Sequence, residues 1–83
     1  RIKFSELGVS TAKKAANSIT LTFEKNFLQQ NKMALDKVIK LVSERPKYFQ
    51  LNSKGELFCQ SKKELDNNNY LEFVSYIAEN IKA

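Results

Sequence analysis

The stretch YFQLNSKGELFCQ, Tyr48 to Gln60, constrains this chain more than any other. Two short apolar runs flank Asn52-Ser53-Lys54-Gly55, a polar break that ends in glycine. This is the pattern of a β-hairpin closed by a type I turn, with Gly55 left-handed and a bulge beside it. A four-residue loop sets Leu51 opposite Glu56 and Phe49 opposite Phe58, an aromatic pair across two strands. A hairpin alone is marginal in water. It has to lie on helices or recruit a third strand.

The rest of the chain offers both. SITLTFE alternates, with Ile19, Leu21 and Phe23 on one side and Thr20, Thr22 and Glu24 on the other, which predicts a strand over 19–22. GVSTAKKAANSI places Val9, Ala12, Ala16 and Ile19 at helical spacing behind a Ser10 cap, which predicts a helix over 9–18. In FEKNFLQQNKMALDKVIKLVSER the apolar residues Phe23, Phe27, Leu28, Leu35, Val38, Ile39 and Val42 recur at helical steps. Asn31 divides this run into helices at 23–31 and 32–44, unless they continue as one, and Pro46 ends it. Capping boxes are readable at Ser61–Glu64 and Asn69–Glu72. The second opens a helix over 69–82 with Leu71, Val74, Ile77, Ala78 and Ile81 as its buried stripe and Tyr70 and Phe73 at its edges. RIKFSEL, at the start, reads equally as a strand or a turn.

With 83 residues the chain forms a single domain, 1–83. Because it begins at Arg1, it is expected to be a piece excised from a longer protein. The 42% hydrophobic content suffices for one core and argues against disorder. Cys59 is the single cysteine, so no internal disulfide forms, which fits an intracellular location. No apolar run approaches the roughly 20 residues of a membrane span, and no membrane partner is expected.

Composition also narrows the chemistry. There is no histidine, which excludes a Cys/His zinc site and a histidine base. Two glycines, Gly8 and Gly55, do not make a phosphate loop, and Cys59 has no histidine to activate it. No cofactor and no enzyme activity are expected. The net charge of +5 is uneven. Residues 1–63 carry thirteen Lys/Arg against five Asp/Glu, whereas 64–83 carry one Lys against four acids. A basic body with an acidic tail suits a polyanionic partner, although a lysine-rich surface also serves solubility.

The element order helix, strand, helix, helix, hairpin, read over 9–60 with an added helix at 69–82, resembles that of winged-helix domains. The expected fold is therefore α+β: a small winged-helix-like domain of three helices, a β-hairpin at 48–60 and a C-terminal helix. The stretch FSELGVSTAKKAANSI is also similar to a helix-turn-helix, departing from it at Phe4 and Lys14. The winged-helix resemblance implies a DNA-binding module whose 32–44 helix enters the major groove while the hairpin tip meets the backbone. Lys32, Lys37, Lys40, Arg45, Lys47 and Lys54 are the residues such a module would set against phosphates. MALDKVIKLV carries no Arg or Gln for base edges, so the contacts would orient rather than specify. RNA stacking on Tyr48, Phe49 and Phe58 is a weaker reading, since two strands make a small platform and hairpin aromatics are usually core. The competing class is a protein-interaction or homodimerisation module using the 69–82 helix, because a fold does not fix a function.

Overall fold

A computed structural model describes residues 7–81. The RIKFSEL reading, as far as residue 6, and residue 82 of the last helix lie outside them. The element order is β1 (Val9–Lys14), β2 (Ser18–Phe23), α1 (Phe27–Gln30), α2 (Lys32–Glu44), β3 (Phe49–Leu51), β4 (Glu56–Gln60) and α3 (Tyr70–Ile81). The fold is α+β. Its strands form one antiparallel sheet of four in the order β1-β2-β4-β3, so the two hairpins join through their second strands.

One face of the sheet holds the core. Ile19 and Leu21 of β2, Leu57 and Cys59 of β4 and Phe49 of β3 are all at most 1% exposed. Against them pack Val38 and Leu41 of α2 and Ile77 and Ile81 of α3, with Leu65 from the segment before α3. The stripe on α2 follows the helical period, with Ala34, Val38 and Leu41 buried and Lys32, Asp36, Lys37, Lys40 and Ser43 exposed. The helical run does divide at Asn31, whose φ of −122° and ψ of 84° are not helical. Phe23 belongs to β2 and Phe27 to α1, yet their rings stack 6.0 Å apart across the turn between them.

Several sequence expectations change. Residues 9–14 form a strand, not the start of a helix over 9–18, which also removes the helix-turn-helix reading of FSELGVSTAKKAANSI and the first element of the winged-helix order. The helical spacing there rested on Ala12 and Ala16, both exposed, and alanine buries too little surface to hold a helix to the core. Pairing with β2 instead satisfies the backbone of an edge that would otherwise be bare. Glu24 N–H donates to Gly8 O at 2.7 Å and Ala15 N–H to Ser18 O at 2.8 Å, closing the two ends of this hairpin.

The second hairpin forms with Gly55 left-handed, at φ 79°, but its register differs by one residue from the expected one. Phe49 pairs with Cys59 and Leu51 with Leu57, not with Phe58 and Glu56. The cause is Asn52, which belongs to the closing pair rather than to the loop. Its N–H donates to Glu56 O, while its Oδ1 accepts from Lys54 N–H and Glu56 N–H, both at 2.9 Å.

The expected caps change as well. Ser61 opens no helix, because its N–H donates to Asn17 O and Leu65 N–H donates to Ala16 O, holding this segment against the β1–β2 turn. Asn69 does not form a box with Glu72. Its Oδ1 accepts from Asp66 N–H while Asp66 Oδ1 accepts from Asn68 and Asn69 N–H. Leu71 is 51% exposed, not buried, and shares its edge of α3 with exposed Ser75.

The two glycines make a paired prediction. Both have φ of 79°, a conformation that costs other residues about 1–2 kcal/mol. A Cβ on Gly55 would meet open space, whereas one on Gly8 would overlap the Phe27 ring. In urea unfolding, Gly55→Ala is expected to lose roughly that 1–2 kcal/mol. Gly8→Ala is expected to lose clearly more, because the ring cannot yield without leaving its stack on Phe23.

Candidate functional site

The sheet's second face is built from the residues that alternate with the core. Strand registers align one row across all four strands: Lys13 opposite Thr20, Thr20 opposite Phe58, and Phe58 opposite Gln50. At about 4.8 Å between strands this row spans roughly 14 Å. A second row sets Thr11 opposite Thr22 and Thr22 opposite Glu56. Thr11, Lys13 and Gln50 are exposed, and Thr20, Thr22, Glu56 and Phe58 are half-buried. Phe58 lies outside the core cluster, as no helix among the described residues covers this face.

Two local irregularities decide this composition. A bulge at Ser10, between Val9 and Thr11, lets Val9 face the core while Thr11 and Lys13 join the open face. Ser10 Oγ donates to Thr22 O at 3.0 Å and holds the bulge. The Asn52 turn sends Phe58 to the side opposite Phe49. Glu56 is engaged locally, accepting from Asn52 Nδ2 at 2.7 Å and from Thr22 Oγ1 at 3.5 Å.

Cations stand at both ends of the strands. At one end lie the β1–β2 turn, with Lys13 and Lys14 before it, and the segment after β4, with Lys62 and Lys63; Gln60 Nε2 joins them by donating to Asn17 O at 3.1 Å. Arg45, Lys47 and Lys62 line one groove there with Tyr48 and Tyr76. At the other end Lys25 and Lys54 line a groove between the start of α1 and the hairpin tip.

The six cations singled out from the sequence therefore do not converge. Lys32, Lys37 and Lys40 ride on α2, which packs on the core face of the sheet. Lys37 and Lys40 share a groove with three carboxylates, Asp36, Glu44 and Glu79. Arg45 and Lys47 stand at one end of the strands and Lys54 at the other. Sequence reasoning missed the row Lys13, Thr20, Phe58, Gln50. Only SITLTFE signalled it, by marking Thr20 and Thr22 as pointing away from the core.

Among the described residues no group of three or more His, Cys, Asp or Glu is placed to hold a metal ion. No helix among them is long and apolar enough to cross a membrane. Cys59 is buried between β2 and β3, and this burial pushes its thiol up to about 12 from an ordinary 9.0. At neutral pH it is a protonated core residue, not a nucleophile. Compared with protein-family models, curated proteins and solved structures, the chain matches none.

The Cys59 environment makes a prediction of defined sign. The folded thiol keeps its proton above pH 9 where the unfolded one loses it, so stability falls as pH rises from about 9 toward 12. Urea unfolding across this range is expected to give a steeper decline for the parent chain than for Cys59→Ala. Equal slopes would mean that the thiol meets solvent.

Proposed function

We propose that this chain is a non-catalytic nucleic-acid-binding domain that lays the open face of its sheet against duplex DNA. The observation that supports this best is the row Lys13, Thr20, Phe58, Gln50 on a sheet face that no helix among the described residues covers, with lysines at both strand ends. Two-stranded β-ribbons enter the major groove, which is about 12 Å wide, so β3 and β4 would enter it while β2 and β1 lie toward its rim. Gln presents a donor and an acceptor to adenine, and Thr and Phe offer apolar contact to the thymine methyl. Lys13, Lys25 and Lys54 would meet phosphates beside the groove and set the register of the protein.

The lysine–phosphate mechanism expected from the sequence thus keeps its chemistry but changes its surface. Lys54 remains in it. Lys32, Lys37 and Lys40 stand on the helical side, where the acids around Lys37 and Lys40 weaken any attraction for phosphate. A sheet that reads RNA by stacking usually offers two or three aromatics. This face offers Phe58 alone among side chains that form hydrogen bonds, which favours duplex base edges.

The test is duplex DNA titrated at two salt concentrations. Each phosphate contact contributes about −0.9 to the slope of log affinity against log salt. Lys13→Ala and Lys54→Ala are each expected to reduce the slope by about one. Lys37→Ala and Lys40→Ala are expected to leave it unchanged. Affinity insensitive to salt would refute the proposal, and so would a slope carried by Lys37 and Lys40 instead of Lys13. A homodimer in sedimentation that buries α3, with no duplex binding, would make α3 the functional surface.

A further inference from the structure

One aromatic surface is not used by the sheet face. Two grooves, of about 460 and 510 Å³, meet at Tyr48, Lys62 and Tyr76 between the β4–α3 segment, the α2–β3 segment and α3. The two grooves adjoin through these three side chains, a double trough. Phe73 and Tyr76 stack with their centroids 6.4 Å apart and 18° between their ring planes, an aromatic stack that forms one wall of the trough. Tyr76 also leans on Phe49, with centroids 6.2 Å apart, and Phe49 is 1% exposed. The wall is therefore anchored in the core, yet the Tyr76 side chain remains 40% exposed.

Cations border these rings. The Arg45 guanidinium carbon lies 5.5 Å from the Tyr76 centroid, and Arg45 Nη1 donates to Tyr76 Oη. Lys62 Nζ lies 5.6 Å from the centroid of Tyr48. Lys63 lines the first groove and Lys47 the second. Against these four cations the two grooves set two carboxylates, Glu72 and Glu44. The trough thus pairs aromatic faces with an excess of positive charge.

We infer that this trough binds a short single-stranded nucleic acid segment, with bases against Tyr76 and Phe73 and phosphates paired to Arg45, Lys62 and Lys63. Aromatic platforms in a basic groove hold single strands because every base has a π-face and every linkage a charge. An apolar peptide would satisfy the rings and leave the cations without partners. The site is continuous with the sheet, since Gln60 of β4 lines the trough and Ser61 leads from the strand into it. The partner class rests on the nucleic-acid reading above, but the residues are a separate set. An unpaired end next to a duplex held on the sheet would reach the trough directly. Stacking and charge do not read the 2′-hydroxyl, so DNA and RNA strands are expected to bind alike.

The experiment is fluorescence anisotropy of labelled hexathymidylate and hexauridylate, with a blunt mixed-sequence duplex in parallel. Tyr76→Leu keeps an apolar side chain but removes the π-face, and is expected to weaken both single strands by about fivefold or more. Tyr76→Phe is expected to retain the affinity. Lys62→Gln is expected to lower the single-strand salt slope by about 0.7. Thermal unfolding of each variant checks that the fold is kept. Duplex affinity is expected to stay within about twofold in Tyr76→Leu and to fall in Lys13→Ala, which leaves single strands unaffected. Failure of the oligomers to bind, or equal binding by Tyr76→Leu, would overturn the trough whether or not the duplex binds. Tyr76-dependent oligomer binding without duplex binding would sustain the trough and refute the sheet reading alone.

Discussion

β4 has a strand on each side, and its alternation therefore governs the whole sheet. Leu57 and Cys59 face the helices at 0% exposure, while Glu56, Phe58 and Gln60 face the other way. A slip of one residue against either neighbour would exchange these sets. It would press a carboxylate and an amide into an apolar core at a cost of several kcal/mol. This parity holds because the Asn52 side chain closes the β3–β4 turn at one residue only, and because β2 meets β4 through Ile19 opposite Cys59 and Leu21 opposite Leu57.

The same parity creates the surface proposed to meet DNA. Once one face is committed to α2 and α3, the other receives Thr, Gln, Lys and a single aromatic, and nothing among the described residues covers it. The bulge at Ser10 extends this logic to β1, which lies beyond the helices and is exposed on both sides after Val9. Without the extra residue, Thr11 and Lys13 would lie on the core side of the sheet and Ala12 and Lys14 on the open one. Charge is then divided by strand direction, with Lys13, Lys14, Lys62 and Lys63 at one end and Lys25 and Lys54 at the other.

Much of the framework was legible in the sequence, because it rests on local signals. The hairpin announced itself through Asn52 and Gly55, β2 through its alternation, and α2 and α3 through apolar spacing, while Asn31 left open whether the helical run was one helix or two. Errors arose where a local signal competed with a distant partner. Val9–Lys14 carries weak preferences for either state, and the unpaired edge of β2 decided it. Ser61 reads as a cap, but its backbone is taken by Asn17. Phe49 and Phe58 look like a cross-strand pair until the Asn52 closure shifts the register by one and parts them. The lysines of α2 looked like an interface because spacing marked them as exposed, and exposure says nothing about which acids stand nearby.

By itself the order of residues determined an α+β chain with a turn at Asn52–Gly55, amphipathic helices, an inert lone cysteine and an excess of lysine before residue 64. These follow from preferences and charges carried within a few residues. Tertiary structure alone decided that the first segment is a strand, that Phe58 sits beside Thr20 and Gln50 on an open face, and that Arg45 and Lys62 flank the rings of Tyr76 and Tyr48. Those neighbours are distant in sequence, and backbone pairing and a shared core bring them together, neither of which a local pattern encodes.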